Sequence, residues 1–233
     1  MGQYYSPQIF KSNKPMSEEN LLASFYCHEY GQGLKITEHS FFGNPIVNAV
    51  IACVCSFGKA RVAWVGDYSD DITRKGKTYN LYSRNNDRLN IHPYQAPKMP
   101  EGLVYMINHT KKECVNLENY PKTFTAPHFY IKTKNLSGRT FECIEQKIEN
   151  GDMLHPLPLL TCMGNGRGSG DYYDKYWGIE SADQVGRWAG DVISFSDKEP
   201  NDNYTEIEPF FCNCNSDLID ILITQAKREI KFN

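Results

Sequence analysis

Residues 45–56 constrain the fold most, because they predict a helix that must be covered on every side. Asn44 and Pro45 form a helix start: an Asn side chain caps free backbone N–H groups, and Pro suits the first helical position. The residues that follow, 46–55, are apolar nearly all round, and Gly58 follows the end of the run. A helix of this kind lies inside a protein. Other elements of the chain must therefore pack around it.

Segments typical of strands outnumber those typical of helices. Tyr and Phe, with 15 and 12 residues, favour strands. Because strands and helices do not alternate regularly, the sequence predicts one α+β domain over residues 1–233, with a mixed or mainly antiparallel sheet. Besides the buried helix at 45–56, we expect helices at 141–150 and, amphipathic and C-terminal, at 216–231. Strands are expected at residues 3–10, 21–28, 61–68, 128–133, 157–163 and 191–195, with a hairpin of 103–108 and 113–117.

Composition and charge exclude several classes of protein. The formal net charge of −3 argues against a nucleic-acid binder, which normally presents a basic face. No apolar run reaches the length of a membrane span, and we expect no membrane partner. We expect no signal peptide, because the first residues lack a charged-then-apolar pattern, and we expect the eight cysteines to be free thiols in a reducing compartment. The expected location is therefore the cytoplasm, and the oligomeric state is left open.

Two Cys-x-Cys pairs, Cys53/Cys55 and Cys212/Cys214, raise the question of a zinc site. Structural zinc sites usually use Cys-x-x-Cys on a turn, and residues two apart on a helix point in different directions. We therefore expect no metal site. The chain also lacks the standard nucleotide loops, and no cofactor is expected.

A glycine segment, residues 164–171, is the strongest candidate for ligand binding. Alternating glycines leave backbone N–H groups open, and these can form an anion-binding nest. The guanidinium of Arg167 adds a planar donor for phosphate or carboxylate. The alternative is a loop or a tight crossover in which small residues permit close packing. The candidate ligand-binding residues are Gly164, Asn165, Gly166, Arg167, Gly168, Gly170 and Asp171.

Two histidines and two aspartates are the candidates for catalysis. His39 lies beside a carboxylate and a hydroxyl just before a helix start, and His155 precedes the glycine segment. Asp67 and Asp191 each complete a Trp-x-Gly-Asp tetrad, where carboxylates could hold a cation or act as bases. The alternatives are hydrogen-bonded structural histidines, and aspartates that bond their own turns. The two tetrads raise the question of an internal duplication, for which chance similarity is the alternative.

Several of these segments together resemble an uncharacterised family of bacterial and phage proteins. The resemblance implies a cytoplasmic bacterial or phage setting, and it implies no activity. It covers most of the chain and is carried by Gly2-Gln3-Tyr4-Tyr5, Glu38-His39-Ser40, Gly43-Asn44, Val47-Asn48-Ala49-Val50, Trp64-x-Gly66-Asp67-Tyr68, residues 155–161, residues 164–171 and Trp188-Ala189-Gly190-Asp191.

Three functional hypotheses follow from these residues. The first is a small-molecule-binding protein, such as a phage or mobile-element accessory factor, that binds an anionic ligand with the glycine segment. The second is a hydrolase or transferase that uses His39 or His155 with Asp67 or Asp191. The third is a protein–protein interaction module with Tyr-rich contact surfaces. Whether the protein is an enzyme is left open by the sequence.

Overall fold

The computed structural model describes residues 4–69, 72–74, 77–82, 89–120, 123–134, 140–152, 154–164 and 184–209. The expected C-terminal helix at 216–231 therefore lies outside the described residues. The helices are α1 (Ile36–His39), α2 (Pro45–Ser56) and α3 (Pro156–Leu160). The strands are β1 (Tyr5–Lys11), β2 (Leu21–Ser24), β3 (Ala60–Gly66), β4 (Ile72–Arg74), β5 (Lys77–Tyr79), β6 (Tyr105–Asn108), β7 (Glu113–Asn116), β8 (Thr123–Lys134), β9 (Thr140–Asp152), β10 (Cys162–Met163), β11 (Val192–Ser196) and β12 (Thr205–Glu206).

Eight of the described strands form one mixed sheet. Seven of them follow the order β12-β7-β6-β11-β3-β1-β2, and β10 pairs with β3 outside that order. The pairs β1–β2, β1–β3, β3–β11, β11–β6 and β6–β7 are antiparallel, whereas β10–β3 and β12–β7 are parallel. Helices and strands are not arranged as regular β-α-β units, so the fold is α+β with a mixed sheet.

The predicted buried helix is confirmed as α2. The side chain of Asn44 accepts a hydrogen bond of 3.0 Å from the N–H of Ile46, and Pro45 occupies the first turn. Eight of its twelve residues are buried, and the helix packs against β1 and β11. Its apolar surface therefore forms the centre of the core, together with the inner face of the sheet.

The expected strand at residues 157–163 is wrong for its first part, which is the helix α3. His155 caps this helix, and Pro156 lies in its first turn. Pro156 and Pro158 have no backbone N–H to donate to a sheet, whereas the first turn of a helix needs no such donors. The two prolines therefore favour the helix, and the strand β10 begins only at Cys162.

The expected helix at residues 141–150 is also wrong, because this segment is the strand β9. β8 and β9 form a long antiparallel hairpin, paired from Thr123–Asp152 to Lys134–Thr140. Helical spacing of only three apolar residues was the basis for the helix, and such a short pattern does not distinguish the two structures. Pairing with β8 decides the conformation.

Five cysteines are free thiols. Cys27, Cys53, Cys114 and Cys162 are buried, and Cys55 is partly buried. Within the ranges that the structure describes, no helix is both long enough and apolar enough to cross a membrane.

Candidate functional site

His39 is buried and both of its ring nitrogens are engaged. Its Nε2 accepts a hydrogen bond of 2.8 Å from the indole Nε1–H of Trp64, which lies in β3. An indole nitrogen only donates, so the ring proton is on Nδ1, which donates to the carbonyl of Gly33 over 3.0 Å. Burial lowers the pKa of His39 to about 4. This neutral ring holds α1 against the sheet, and neither nitrogen is free to accept a proton from a substrate.

His155 has a comparable structural environment. Its Nδ1 accepts a hydrogen bond of 3.0 Å from the N–H of Leu157 at the start of α3. Its ring lies 4.5 Å from that of Phe42, between centroids, and burial lowers its pKa to about 3. The backbone N–H of His155 donates to the carbonyl of Ser40. The structure therefore brings His39 and His155 onto neighbouring segments, where both act as neutral packing residues.

The two candidate aspartates lie at different ends of β3. The Oδ1 of Asp67 accepts a hydrogen bond of 3.1 Å from the N–H of Tyr4, and so extends the pairing of β1 with β3. Asp191 adjoins the opposite end, since its carbonyl accepts from the N–H of Val62. Asp67 comes five positions after Val62 along extended chain, which corresponds to roughly 16 Å. The two carboxylates therefore do not share a site.

Asp191 is buried in a polar cluster. Its Oδ2 lies 2.8 Å from the Nδ2 of Asn108 and 3.0 Å from the Nζ of Lys111. The Oδ1 of Asn108 in turn accepts from the N–H groups of Thr110 and Lys111. This network shapes the turn between β6 and β7, and the carboxylate is already neutralised by its lysine.

The second Trp-x-Gly-Asp tetrad differs in structure from the first. Trp64 lies within a central strand, whereas Trp188 lies in the turn before β11. The indole N–H of Trp188 donates to the Oε2 of Glu113 over 2.7 Å, and the guanidinium of Arg187 contacts the other oxygen of that carboxylate. The two tetrads thus occupy unlike positions. Sequence reasoning misses Glu113, because its partners are more than seventy residues away.

Only the first residue of the glycine segment lies in the described part of the chain. Gly164 is buried and directly follows β10, whose Met163 pairs with Val65. The segment therefore begins beside the end of β3, close to Asp67. Residues 165–171 lie outside the described residues, and their role in ligand binding stays a prediction.

A contact between a histidine and a carboxylate lies outside the four catalytic candidates. The Nδ1 of His92 lies 2.8 Å from the Oε2 of Glu29, which also accepts from the Nδ2 of Asn90 over 2.7 Å. The ring of Tyr94 stacks on His92 at 5.4 Å between centroids. Neither His92 nor Glu29 is a candidate from the sequence.

Part of the Tyr-rich surface of the interaction hypothesis lies in the described residues. The side chain of Tyr94 is exposed, whereas that of Tyr82 is half-buried. Tyr172, Tyr173 and Tyr176 lie outside the described residues. A continuous aromatic surface therefore stays a prediction.

A second histidine cluster lies at the turn between β6 and β7. Asn108 pairs with Glu113, so residues 109–112 form the turn. The Nε2 of His109 lies 2.7 Å from the Oγ of Ser194 in β11, and its Nδ1 lies 2.8 Å from the hydroxyl of Tyr204. These groups, with two nearby lysines, are named the hairpin site: His109, Ser194, Tyr204, Lys112 and Lys59.

Lys112 takes an unusual backbone conformation to reach this site. Its φ is 58°, in the left-handed region that side chains larger than glycine disfavour by roughly 1–2 kcal/mol. Its Nζ donates to the hydroxyl of Tyr204 over 3.4 Å and lies 4.9 Å from the centre of that ring. Non-glycine residues in this region are uncommon and often mark functional positions.

Lys59 directly precedes β3. Ala60, the first residue of β3, pairs with Ile193, the residue before Ser194, so Lys59 and Ser194 each adjoin this paired position of the sheet. Burial, then the positive charges of Lys59 and Lys112, lower the pKa of His109. Within the described ranges neither lysine forms an ion pair. The site therefore combines a histidine with a lowered pKa, two hydroxyls and two cations that have no acidic partner among the described residues.

The residues of the hairpin site escape sequence analysis for a physical reason. The turn at 109–112 is recognisable, but Ser194 and Tyr204 are separated from it by 85 and 95 residues. One signal was available, namely two lysines and a histidine in a single tight turn. Comparison of the chain with models of protein families, with curated proteins and with solved structures finds no match in any of the three.

Proposed function

We propose that this chain binds a small anionic ligand, one that carries a phosphate or carboxylate group, at the hairpin site. The observation that carries the proposal is the pair of lysines, Lys59 and Lys112, which have no acidic partner in the described part of the chain. Their charges already disfavour protonation of His109. An anion would relieve this repulsion, because an opposite charge nearby stabilises each of the three groups.

Hydrogen-bond donors complement these charges. The hydroxyls of Ser194 and Tyr204 flank the ring of His109 on its two nitrogens. Lys112 is held by its turn and by the ring of Tyr204, so its ammonium group is already placed before a ligand arrives. Ammonium groups suit the oxygens of a phosphate or carboxylate, and an anion beside them would favour the protonated form of His109.

The glycine segment is a separate proposed contact for the same class of ligand, with Arg167 as its cation. We also propose, from the sequence, that the protein acts in the cytoplasm, with no nucleic acid among its partners. The hydrolase or transferase alternative, with His39 or His155 and Asp67 or Asp191, has less support, because both histidines make structural contacts and the two aspartates lie at different ends of β3.

An NMR titration tests the proposal. Histidine-labelled protein is titrated with inorganic phosphate, and with sodium chloride at equal ionic strength, while the ring signals of His109 are followed. We expect phosphate to shift these signals in a saturable way that chloride does not reproduce. Lys112→Gln and Lys59→Gln should each weaken binding about five-fold, which corresponds to roughly 1 kcal/mol for a charge contact near a protein surface.

The matched control is Lys98→Gln. Lys98 is highly exposed and pairs with Glu101 three residues on, so its loss should leave phosphate binding unchanged. Equal effects of all three lysine variants would indicate only a general charge effect and would refute the site. Loss of binding in Arg167→Ala, with no effect of Lys112→Gln, would assign the ligand to the glycine segment instead.

A further inference from the structure

The contact between Ser194 and His109 has the geometry of a nucleophile and its base. Ser194 in β11 pairs with Ile107 in β6, and His109 follows two residues later, in the turn directly after that strand. The N–H of His109 donates to the carbonyl of Val192, and its Nε2 lies 2.7 Å from the Oγ of Ser194. A hydroxyl within hydrogen-bond reach of an imidazole is the arrangement that activates serine nucleophiles.

A third group orients the imidazole. The hydroxyl oxygen of Tyr204 accepts from the ammonium group of Lys112, and its distance to the Nδ1 of His109 is 2.8 Å. With Nδ1–H donating to Tyr204, Nε2 presents its lone pair to the hydroxyl of Ser194. The chain of contacts Ser194–His109–Tyr204 thus has the order of nucleophile, base and orienting group.

We propose that Ser194 is the nucleophile of an acyl-transfer site, with His109 as its base, and that its substrates are carboxylic esters carrying a second, anionic group. This inference rests on the proposed function, because Lys112 is the residue that binds the anionic group. Lys59 directly precedes Ala60, which pairs with the residue before Ser194, and in this proposal it supplies positive charge where the carbonyl oxygen becomes negative. Tyr204 is a positioning residue.

The reaction balances with water as the only other reactant. The Oγ of Ser194 bonds to the carbonyl carbon of the ester while its proton passes to the Nε2 of His109. The bond from carbon to the alcohol oxygen then breaks, and the alcohol leaves with the proton from His109. Water attacks the acyl-serine in the same way, giving a proton to His109, which returns it to Ser194 as the carboxylic acid is released.

A fluorophosphonate probe tests the nucleophile on the full chain. Its phosphorus bonds to the attacking Oγ, fluoride leaves, and the proton passes to His109. We expect tandem mass spectrometry to find the adduct on Ser194, and His109→Gln to slow labelling by about 100-fold or more, as expected for loss of a general base. Ser196→Ala is the matched control in the same strand, since that hydroxyl bonds the backbone of Lys198.

Turnover tests the substrate class. Para-nitrophenyl succinate, which is anionic, should be hydrolysed with a higher kcat/KM than neutral para-nitrophenyl acetate, and Lys112→Gln should remove that preference. Tyr204→Phe should slow labelling and change its pH profile, which a merely structural role would not do. Circular dichroism confirms that each variant is folded, and the adduct on wild-type Ser194 needs no variant at all.

The outcomes separate this inference from the proposed function. If phosphate shifts His109 but folded wild-type protein acquires no adduct on Ser194, the nucleophile is refuted and ligand binding stands. If Ser194 is labelled but phosphate does not bind and anionic esters have no advantage, the proposed function and the substrate class are refuted. Labelling that His109→Gln leaves unchanged would refute the role of His109 as base.

Discussion

The two buried histidines should make the protein lose stability in mild acid. Burial lowers the pKa of His39 to about 4 and that of His155 to about 3, whereas an unfolded histidine has a pKa of about 6.5. Below the unfolded pKa the unfolded chain therefore binds protons that the native protein does not bind. The free energy of unfolding is therefore highest above the unfolded pKa, and it decreases as the pH falls towards the pKa values of the folded protein.

The size of the effect follows from these values. Between pH 7 and pH 5 each histidine lowers the free energy of unfolding by about 2 kcal/mol, because the unfolded chain gains most of one proton over this interval and one pH unit corresponds to about 1.36 kcal/mol per proton. The two together give about 4 kcal/mol, which is a large part of the roughly 5–15 kcal/mol that holds a typical domain together. Most carboxylates stay ionised in this range, so the histidines dominate the change.

Urea denaturation followed by tryptophan fluorescence measures the effect, since Trp64 and Trp188 are buried. The variant His155→Asn keeps a helix-capping side chain but cannot titrate, so it should remove about half of the pH-dependent loss. Its stability at pH 7 should be lower, because contact with Phe42 is lost. His28→Asn, on the exposed surface, is the matched control.

Either of two results would refute this reasoning. The first is a wild-type free energy of unfolding that changes by less than about 1 kcal/mol between pH 7 and pH 5, where proton linkage to the two histidines predicts a change of about 4 kcal/mol. The second is a pH dependence in His155→Asn equal to that of the wild type. Equal slopes would mean that the ring of His155 is protonated in the native protein.

Three further predictions concern backbone strain, a buried carboxylate and proton linkage. Gly190→Ala should lower the free energy of unfolding by roughly 1 kcal/mol more than Gly58→Ala. Both glycines have a φ near 75°, but a Cβ at Gly190 would lie 2.5 Å from the Cε of Met16. Equal urea midpoints for the two variants would contradict this. Trp188→Phe should lower the free energy of unfolding by about 1–3 kcal/mol beyond the effect of lost packing, because one oxygen of Glu113 loses its indole donor. Adding Glu113→Gln to Trp188→Phe should recover part of that stability. Phosphate binding at the hairpin site should take up protons, because an anion raises the pKa of His109, which burial and neighbouring cations hold down. Calorimetry should show the affinity rising as the pH falls below 7. The binding heat should also depend on the ionisation enthalpy of the buffer, and equal heats in all buffers would exclude the linkage.

Local sequence patterns predict much of the fold where they are strong. Asn44, Pro45 and the apolar run after them specify α2 with its observed bounds, Pro45–Ser56. The hairpin of β6 and β7 and the strand β3 are likewise expected from the sequence. The errors fall where a pattern is short: residues 141–150 contain three apolar positions at helical spacing, and pairing with β8 makes them a strand.

The candidate site is a different case, because its parts are far apart in the sequence. His39 and His155 are recognisable as unusual residues, yet only burial and bonding partners show them to be neutral packing groups. Conversely, His109 and Ser194 carry no local motif, and only the register of β6 against β11 brings them together. The role of the glycine segment in ligand binding stays a prediction, because residues 165–171 lie outside the described part of the chain.

The sequence by itself therefore determined the elements whose cause is local: a capped apolar helix, a tight turn and strands rich in aromatic residues. Backbone propensity and capping act over a few residues, so a single stretch of sequence contains the information. Only the tertiary structure decided which titratable groups are buried and which cations have no acidic partner in the described part of the chain. Those properties depend on strand register and on burial, which bring together residues such as Lys59, His109 and Ser194 from distant parts of the chain.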